Sequence, residues 1–395
     1  MNACGFLLYL LITFVVSLAY GTNFSIFDLL EFYGYDGALV GNVMASGVIA
    51  TIIFFAVSNF ISKKLDTLAF IIISISSILF SMLLFSMAKE SYGLVCVGGF
   101  FLGLGWTIFF LHTPIYLMHA IPTTKRFRYL AYLSGGQMAG VGAASVLFKP
   151  ASEAMSSYTS VFLILFVLCS LSIPFLLFLN KMVAQNDQSI RLSNYISLKQ
   201  AKKIIFSRSL IPMLMITLLA CCFSGLTSFQ AMYAKSRNFD PKMYFLCFTI
   251  TCIVSRFFII SYIKNVNKVN RILIFLGITL ASFICFLLNK SSSNLYLMSA
   301  SLFSLGYSLM YALLHDISIS LEVLCENKIN ATSHFFSFFY FLGLFGFPFI
   351  GGILVMRFGV DEMLIVLICF LILAFFLAVK MLSFSEIYSS YAQEQ

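Results

Sequence analysis

The chain has 395 residues, of which 61% are apolar, 17% aromatic and 10% charged, with a formal net charge of +9. So little polar surface cannot cover a soluble globule of this size, which excludes a water-soluble enzyme or binding domain and calls for lipid as solvent. In such a chain the positive charge is a matter of loop placement and not of nucleic-acid binding.

A spanning helix needs roughly 20 mostly apolar residues. Runs of that kind predict helices over 5–30, 38–61, 67–88, 92–118, 127–149 and 158–180, and again over 209–234, 241–263, 272–289, 293–321, 334–356 and 362–384. Strand-like alternation is absent, which argues against a barrel. The first run opens at Cys4, Gly5 and Phe6 without a basic start or a small-residue cleavage site, so it reads as a retained helix and not as a signal peptide. The fold class expected is an all-α polytopic membrane protein of 12 transmembrane helices in two pseudo-symmetric six-helix bundles. The bundles are 1–180 and 209–385, with a linker over 181–208 and a tail over 386–395.

With the N-terminus cytoplasmic, the inside loops hold most of the 24 basic residues, including Lys63, Lys64, Lys125, Arg126, Arg128, Lys199, Lys202 and Lys203. That bias predicts a bacterial-type cytoplasmic (inner) membrane location with both termini cytoplasmic. In the linker, Ile196, Leu198, Ala201 and Ile205 alternate at helical spacing with Lys199, Lys202 and Lys203. An amphipathic helix on an anionic membrane face and a plain solvated linker helix both fit. The ten cysteines lie scattered, mostly in apolar runs, without metal or redox spacing, and read as small hydrophobes. No metal site or cofactor is expected, and no phosphate loop or nucleophile triad occurs in the polar segments.

The halves repeat. An offset of 204 pairs Leu10, Ile12 and Thr13 with Leu214, Ile216 and Thr217, and Gly21 with Gly225; an offset of 203 pairs Gly103 with Gly306, His112 with His315, and Gly140 with Gly343. Matched Gly, His and Lys residues in order indicate duplication. Six-plus-six parallel repeats are one plan on which secondary transporters rock about a central site.

At this point the chain resembles the major facilitator superfamily, and within it bacterial sugar-efflux and drug-efflux-like permeases. Ser58-Asn59-Phe60-Ile61-Ser62-Lys63-Lys64 is similar to the family's gating-loop signature between helices 2 and 3, with Asn59 in the acidic place and only the basic pair intact. Its counterpart, ending in Lys264 through Lys268, is also degenerate. Gly225-Leu226-Thr227-Ser228-Phe229 through Tyr233-Ala234 in helix 7, and Gly343-Leu344-Phe345-Gly346-Phe347-Pro348 followed by Gly351-Gly352 in helix 11, are similar to further family patterns. The antiporter signature of helix 5 lacks its Gly-Pro pair. The resemblance implies alternating access by a monomer with inner-cavity helices 1, 4, 7 and 10.

Ionisable side chains inside a bilayer are functional candidates because each costs a few kcal/mol or more. Arg256 lies about 12 Å in from Lys264, and Asp316 about 9 Å in from Glu322, at 1.5 Å per residue. The similar depths predict that the two pair across helices 8 and 10, either as a structural lock or with Arg256 receiving an anionic substrate group while Asp316 exchanges protons. His112 and His315 fit a proton relay as well as they fit plain packing. Asp28, with Glu31 near it, is either another acidic site or a solvated group at the mouth of helix 1. Asn23, Gln137 and Gln230 serve substrate binding or helix joining, and Trp106 and Tyr311 serve ligand stacking or aromatic packing. Gly136 and Gly140 in helix 5, and Gly343 and Gly346 in helix 11, predict that these two helices pack closely at the joint between halves, with Pro348 bending helix 11.

The function expected is secondary active transport of a small organic molecule, coupled to protons, leaning to efflux of a sugar, drug or metabolite. Import of an organic anion or siderophore-like compound is one alternative. A non-transporting membrane sensor or assembly partner is another.

Overall fold

A computed structural model describes residues 3–36, 39–61, 64–121, 126–184, 204, 207–256, 267–321 and 326–393. These residues form helices, with no strand among them. In chain order they are α1 (Ala3–Gly21, a tight turn Thr22–Ser25, then Ile26–Phe32), α2 (Val40–Ile61), α3 (Thr67–Ser86), α4 (Tyr92–Ala120), α5 (Arg126–Met155) and α6 (Tyr158–Ser170 with Ser172–Ala184). The second set is α7 (Leu210–Ser228 with Gln230–Ser236), α8 (Pro241–Val254), α9 (Lys268–Leu288), α10 (Ser293–Tyr307 with Met310–Ser320), α11 (Glu326–Arg357) and α12 (Val360–Gln393).

Among the described residues, ten helices are long and apolar enough to cross a membrane. The other two of the predicted twelve are α5, diluted by Gly135, Gly136, Gly140 and Gly142, and α8, whose predicted continuation lies outside the described residues. Most of the linker, with its amphipathic stretch, lies outside them too, as do Lys63 and Lys264.

The polar breaks read from the sequence act as caps. Asp66 accepts from the Ala69 amide at the start of α3, Ser157 from the Ser160 amide at α6, and Ser292 from the Leu295 amide at α10. Asp240 caps α8, where Pro241 takes the first helical position and sacrifices no hydrogen bond. Leu7, Leu11, Ile52 and Phe376 remain exposed around the outside, as a lipid-facing surface requires. We call the face where α1 begins and α12 ends the near face, and the opposite one the far face.

Each half packs the same way. In the first, α1 lies on α5 and α4 lies on α3 and α2; in the second, α7 lies on α11 and α10 lies on α9 and α8. The contacts repeat atom for atom. Ser81 Oγ donates to the Gly98 carbonyl at 2.7 Å, and Ser282 Oγ to the Ser299 carbonyl at 2.8 Å. The Thr51 and Thr107 hydroxyls meet at 3.0 Å, and those of Ser255 and Ser308 at 2.7 Å.

The same contacts correct the register of the repeat. A Cβ on Gly105 would strike Ile78 and the Ser74 carbonyl, and one on Gly306 would strike Thr279 and the Phe275 carbonyl. Gly306 is therefore the counterpart of Gly105 and not of Gly103, which lies against Gly47 of α2. In α3–α4 and α9–α10 the offset is thus 201, so His112 corresponds to Leu313, and His315 to Pro114.

The small residues of α5 and α11 also face differently from the sequence expectation. A Cβ on Gly140 would overlap the Phe14 carbonyl of α1, and one on Gly343 the Thr217 carbonyl of α7. The glycines seat each helix on a partner within its own half, where a carbonyl and not a side chain is the neighbour. The joints between halves are instead α2 with α11 and α5 with α8. A Cβ on Gly346 would lie 3.8 Å from Val48 of α2, the Pro348 carbonyl abuts Gly41, and Gly142 lies against Thr249 of α8. α11 runs on as helix through Pro348.

Because a carbonyl cannot swing aside, Gly140→Ala and Gly343→Ala each cost about 1–3 kcal/mol. Gly136→Ala, whose Cβ would meet only a Leu10 methyl at 3.4 Å, is tolerated. Melting temperatures of the three purified variants check this ordering.

Candidate functional site

The helices break where the two halves face each other. α1 tightens at Thr22–Ser25, α7 is interrupted at Phe229, and α10 at Ser308 and Leu309. Irregular backbone at membrane depth is tolerated where it is buried in protein or lines a cavity; Phe24 of the first break lines the cavity between the halves, and Phe229, Ser308 and Leu309 are buried. The cavity wall is formed by Tyr20 and Phe24 of α1, Trp106 of α4, Met138, Val141, Gly142 and Ser145 of α5, Phe223 and Thr227 of α7, Phe245, Phe248 and Thr249 of α8, and Tyr340 and Leu344 of α11.

Each half brings a stacked ring pair to it, with Tyr20, Trp106 and Phe223 on the wall and Tyr307 behind Phe223. Tyr20 stacks on Trp106 with centroids 3.9 Å apart and planes 4° apart; Phe223 stacks on Tyr307 at 4.8 Å and 4°. In α1 and α7 the packing sets an offset of 203 in place of 204, since Phe14 and Ser17 meet Gly140 as Thr217 and Ala220 meet Gly343; with 201 in α4 and α10, the ring pairs are counterparts in the repeat. Aromatic faces attract flat apolar groups and add about 0.5–1.5 kcal/mol beyond area burial. Among the described residues, the polar side chains on the wall are Ser145, Thr227, Thr249 and the Tyr20, Trp106 and Tyr340 ring heteroatoms, none of them charged.

The halves meet on both sides of this cavity. Toward the far face Phe24 touches Phe223 and Phe245, and Lys235 of α7 bonds Glu31 of α1 at 3.0 Å. Toward the near face Phe110 of α4 packs on Tyr311 and Tyr340, Phe55 of α2 on Phe338, and Arg256, just past the end of α8, donates to the Ser134 carbonyl of α5 at 2.9 Å and to the Ser134 hydroxyl.

A family model described as Major Facilitator Superfamily matches residues 9–321. The chain belongs to the major facilitator superfamily. It is similar in fold to FucP, a superfamily transporter solved in the outward conformation, with a TM-score of 0.65 and 15% identity over 94% of this chain and 97% of that one. It is also similar to the POT family transporter PepTSo, with a TM-score of 0.72 and 12% identity over 99% of each chain. No curated protein matches it at a significant level. The protein is thus a membrane transporter of the superfamily, whose members carry molecules across membranes.

Against this superfamily frame the residues singled out from the sequence separate into groups. Trp106 lines the cavity, and Tyr311 lies one layer below it, its hydroxyl 3.2 Å from Ser337 and its ring against Phe110. Asn23 is buried between the cavity's Tyr20 and Phe24 in sequence. Gln137 joins helices, donating to Thr113 at 3.1 Å, while Tyr9 donates to the Thr113 carbonyl at 2.8 Å. Gln230 donates to the Tyr296 hydroxyl at 2.6 Å inside the second half.

The histidines go to different surroundings. His112 places Nδ1 2.9 Å from the Ile108 carbonyl and stacks on Phe70, inside the first half. His315 places Nε2 2.8 Å from Ser333 and lies against Phe336 of α11. Arg256 is not brought into an ion pair with Asp316: its guanidinium is taken by Ser134 and by the Ser308 carbonyl at 3.3 Å. Asp28, at the far end of α1, lies 3.9 Å from Lys149. Lys64 sits over the Phe60 ring at 5.2 Å; the side chains of Asn59 and Lys268 are outside the described set.

Sequence reasoning missed Tyr20, Phe24, Phe223, Phe245, Phe248 and Tyr340. The repeat as read from the sequence carried no signal for them, since its offsets set Tyr20 opposite Ser224 and Trp106 opposite Leu309.

Proposed function

We propose that this protein moves a small organic molecule with a flat apolar face by secondary active, alternating-access transport, using the cavity between its halves. The observation that carries this reading is a ring stack from each half at a shared space, Tyr20 and Trp106 both on its wall and Phe223 on its wall backed by Tyr307. A ligand lying between them touches both halves at once, so its binding couples to their relative motion. The absence of charged groups from the described cavity wall favours contact by stacking and hydroxyl hydrogen bonds.

Proton coupling belongs to the same proposal. Asp28 and Asp316, carboxylates within the first and the eighth of the ten spans, are its candidate carriers. The basic loops support a cytoplasmic membrane with both termini inside.

The test is ligand-induced thermal stabilisation of the purified protein against sugars, metabolites, drug-like compounds and siderophore-like compounds, followed by counterflow of any hit in proteoliposomes. Stabilisation with counterflow supports transport. Stabilisation with no counterflow would instead support a membrane sensor. Direction follows from cells: cellular accumulation of the hit rises on deleting an exporter and falls on deleting an importer.

A further inference from the structure

Among the described residues, Arg256 is a cation with only neutral partners. Its three hydrogen bonds go to the Ser134 carbonyl, the Ser134 hydroxyl and the Ser308 carbonyl. Among the described residues no carboxylate lies within ion-pair distance of it. By contrast Arg237, whose side chain is buried, is paired with Asp361. A guanidinium carries five N–H donors in a planar fork, and at membrane depth its charge costs a few kcal/mol unless an anion offsets it.

Its place is directly under the cavity. Ser134 lies one helical turn from Met138 of the cavity wall, roughly 6 Å along α5. Ser308, whose carbonyl accepts from Arg256, follows Tyr307 of the second ring pair. A flat group among the rings and an anionic group on the guanidinium are thus within the span of one small molecule.

We infer that the cavity takes an organic anion, its flat apolar body between the Tyr20–Trp106 and Phe223–Tyr307 pairs and its carboxylate on Arg256 in place of Ser134. This rests on the transport reading above and names the substrate class for it. Carboxylate and guanidinium form two parallel charge-assisted hydrogen bonds, stronger than those to a carbonyl or hydroxyl. Since Ser134 belongs to the other half, a carboxylate that claims Arg256 also loosens a tie between the halves at the near face. Substrate binding and near-face opening are then one event.

The experiment compares acid and amide partners of equal shape, phenylacetate with phenylacetamide and indole-3-acetate with indole-3-acetamide, in titrations of the full-length protein in nanodiscs. Wild type binds the acids at least ten-fold more tightly than the amides. Arg256→Gln abolishes that difference, Arg256→Lys keeps part of it, and Ser134→Ala keeps it. The inference is overturned if acid and amide bind wild type alike, if Arg256→Gln retains the acid preference, or if no acid binds. Should neutral compounds bind and Trp106→Ala remove that binding, the transport reading stands while the anion is lost. If Arg256→Gln fails to fold, the wild-type acid and amide comparison and Arg256→Lys still decide.

Discussion

Replacing Trp106 by alanine weakens ligand binding at least ten-fold and lowers stability together. The indole is 3% exposed and lies flat on Tyr20, while its other neighbours are Phe109 and Phe110. Truncating a buried Trp to Ala costs about 3–5 kcal/mol through lost contacts and the void left behind. The first-half ring pair disappears with it, and Tyr20 is freed to turn. Trp106→Phe retains a stacking face and keeps most of the binding. Isothermal titration of both variants with any ligand from the stabilisation panel separates the outcomes: equal loss in the Phe and Ala variants would mean the indole acts other than by stacking.

Asp361→Ala gives the largest stability loss expected away from the cavity. At the far face, Asp361 at the start of α12 accepts from Arg237 at the end of α7 and from Lys290 after α9 at 2.9 Å. The Arg237 side chain is only 7% exposed; its Nε donates to the Asn289 carbonyl at 2.8 Å, and its guanidinium lies 4.2 Å from the Tyr233 ring. Removing the anion leaves that cation buried without its counter-charge. Breaking a buried pair costs about 3–5 kcal/mol, and the lower figure applies because solvent reaches Asp361 and screens the loss. The double variant Arg237→Gln with Asp361→Ala loses less than the sum of its singles, since the stranded charge is gone. Thermal melts of the four proteins check this, and additive losses would show that the pair is not coupled.

The helices were legible in the sequence because twenty-residue apolar runs have one physical explanation. The runs over 67–88, 92–118 and 158–180 became α3, α4 and α6, with ends set by Asp66, Ser91 and Ser157 as caps. The breaks within α1, α7 and α10 were not legible: none contains a proline, and their backbone bonds stay local, as from the Phe229 amide to the Gly225 carbonyl and from the Ser308 amide to the Ser304 carbonyl. Duplication was legible, but its register in helices 1 and 7 and past helix 2 was not. The offset falls from 204 to 201 between Thr51 and Thr107, so identical residues at an offset of 203 drew His112 and His315 together by coincidence.

The candidate site divides in the same way. Arg256 stood out as a lone cation in an apolar run, and it does lie beside the cavity. Its partner did not stand out, because Ser134 is neutral, is distant in sequence and belongs to the other half. The ring pairs were hidden among 46 Phe and 19 Tyr. No local pattern distinguishes a cavity aromatic from a packing one; only the arrangement of helices does.

The central claim is that the two halves rock about the cavity, and pulsed electron resonance distances test it most directly. Spin labels carried by an unnatural amino acid at Tyr35 and Asn238 report the far face, and labels at Lys64 and Asn267 report the near face. Glu31→Gln removes the far-face ion pair between the halves, and Arg256→Gln the near-face tie. Rocking predicts that Glu31→Gln lengthens the far-face distance and shortens the near-face one, and that Arg256→Gln does the reverse. Distances at both faces that stay fixed in all three proteins, or that lengthen together, would contradict it.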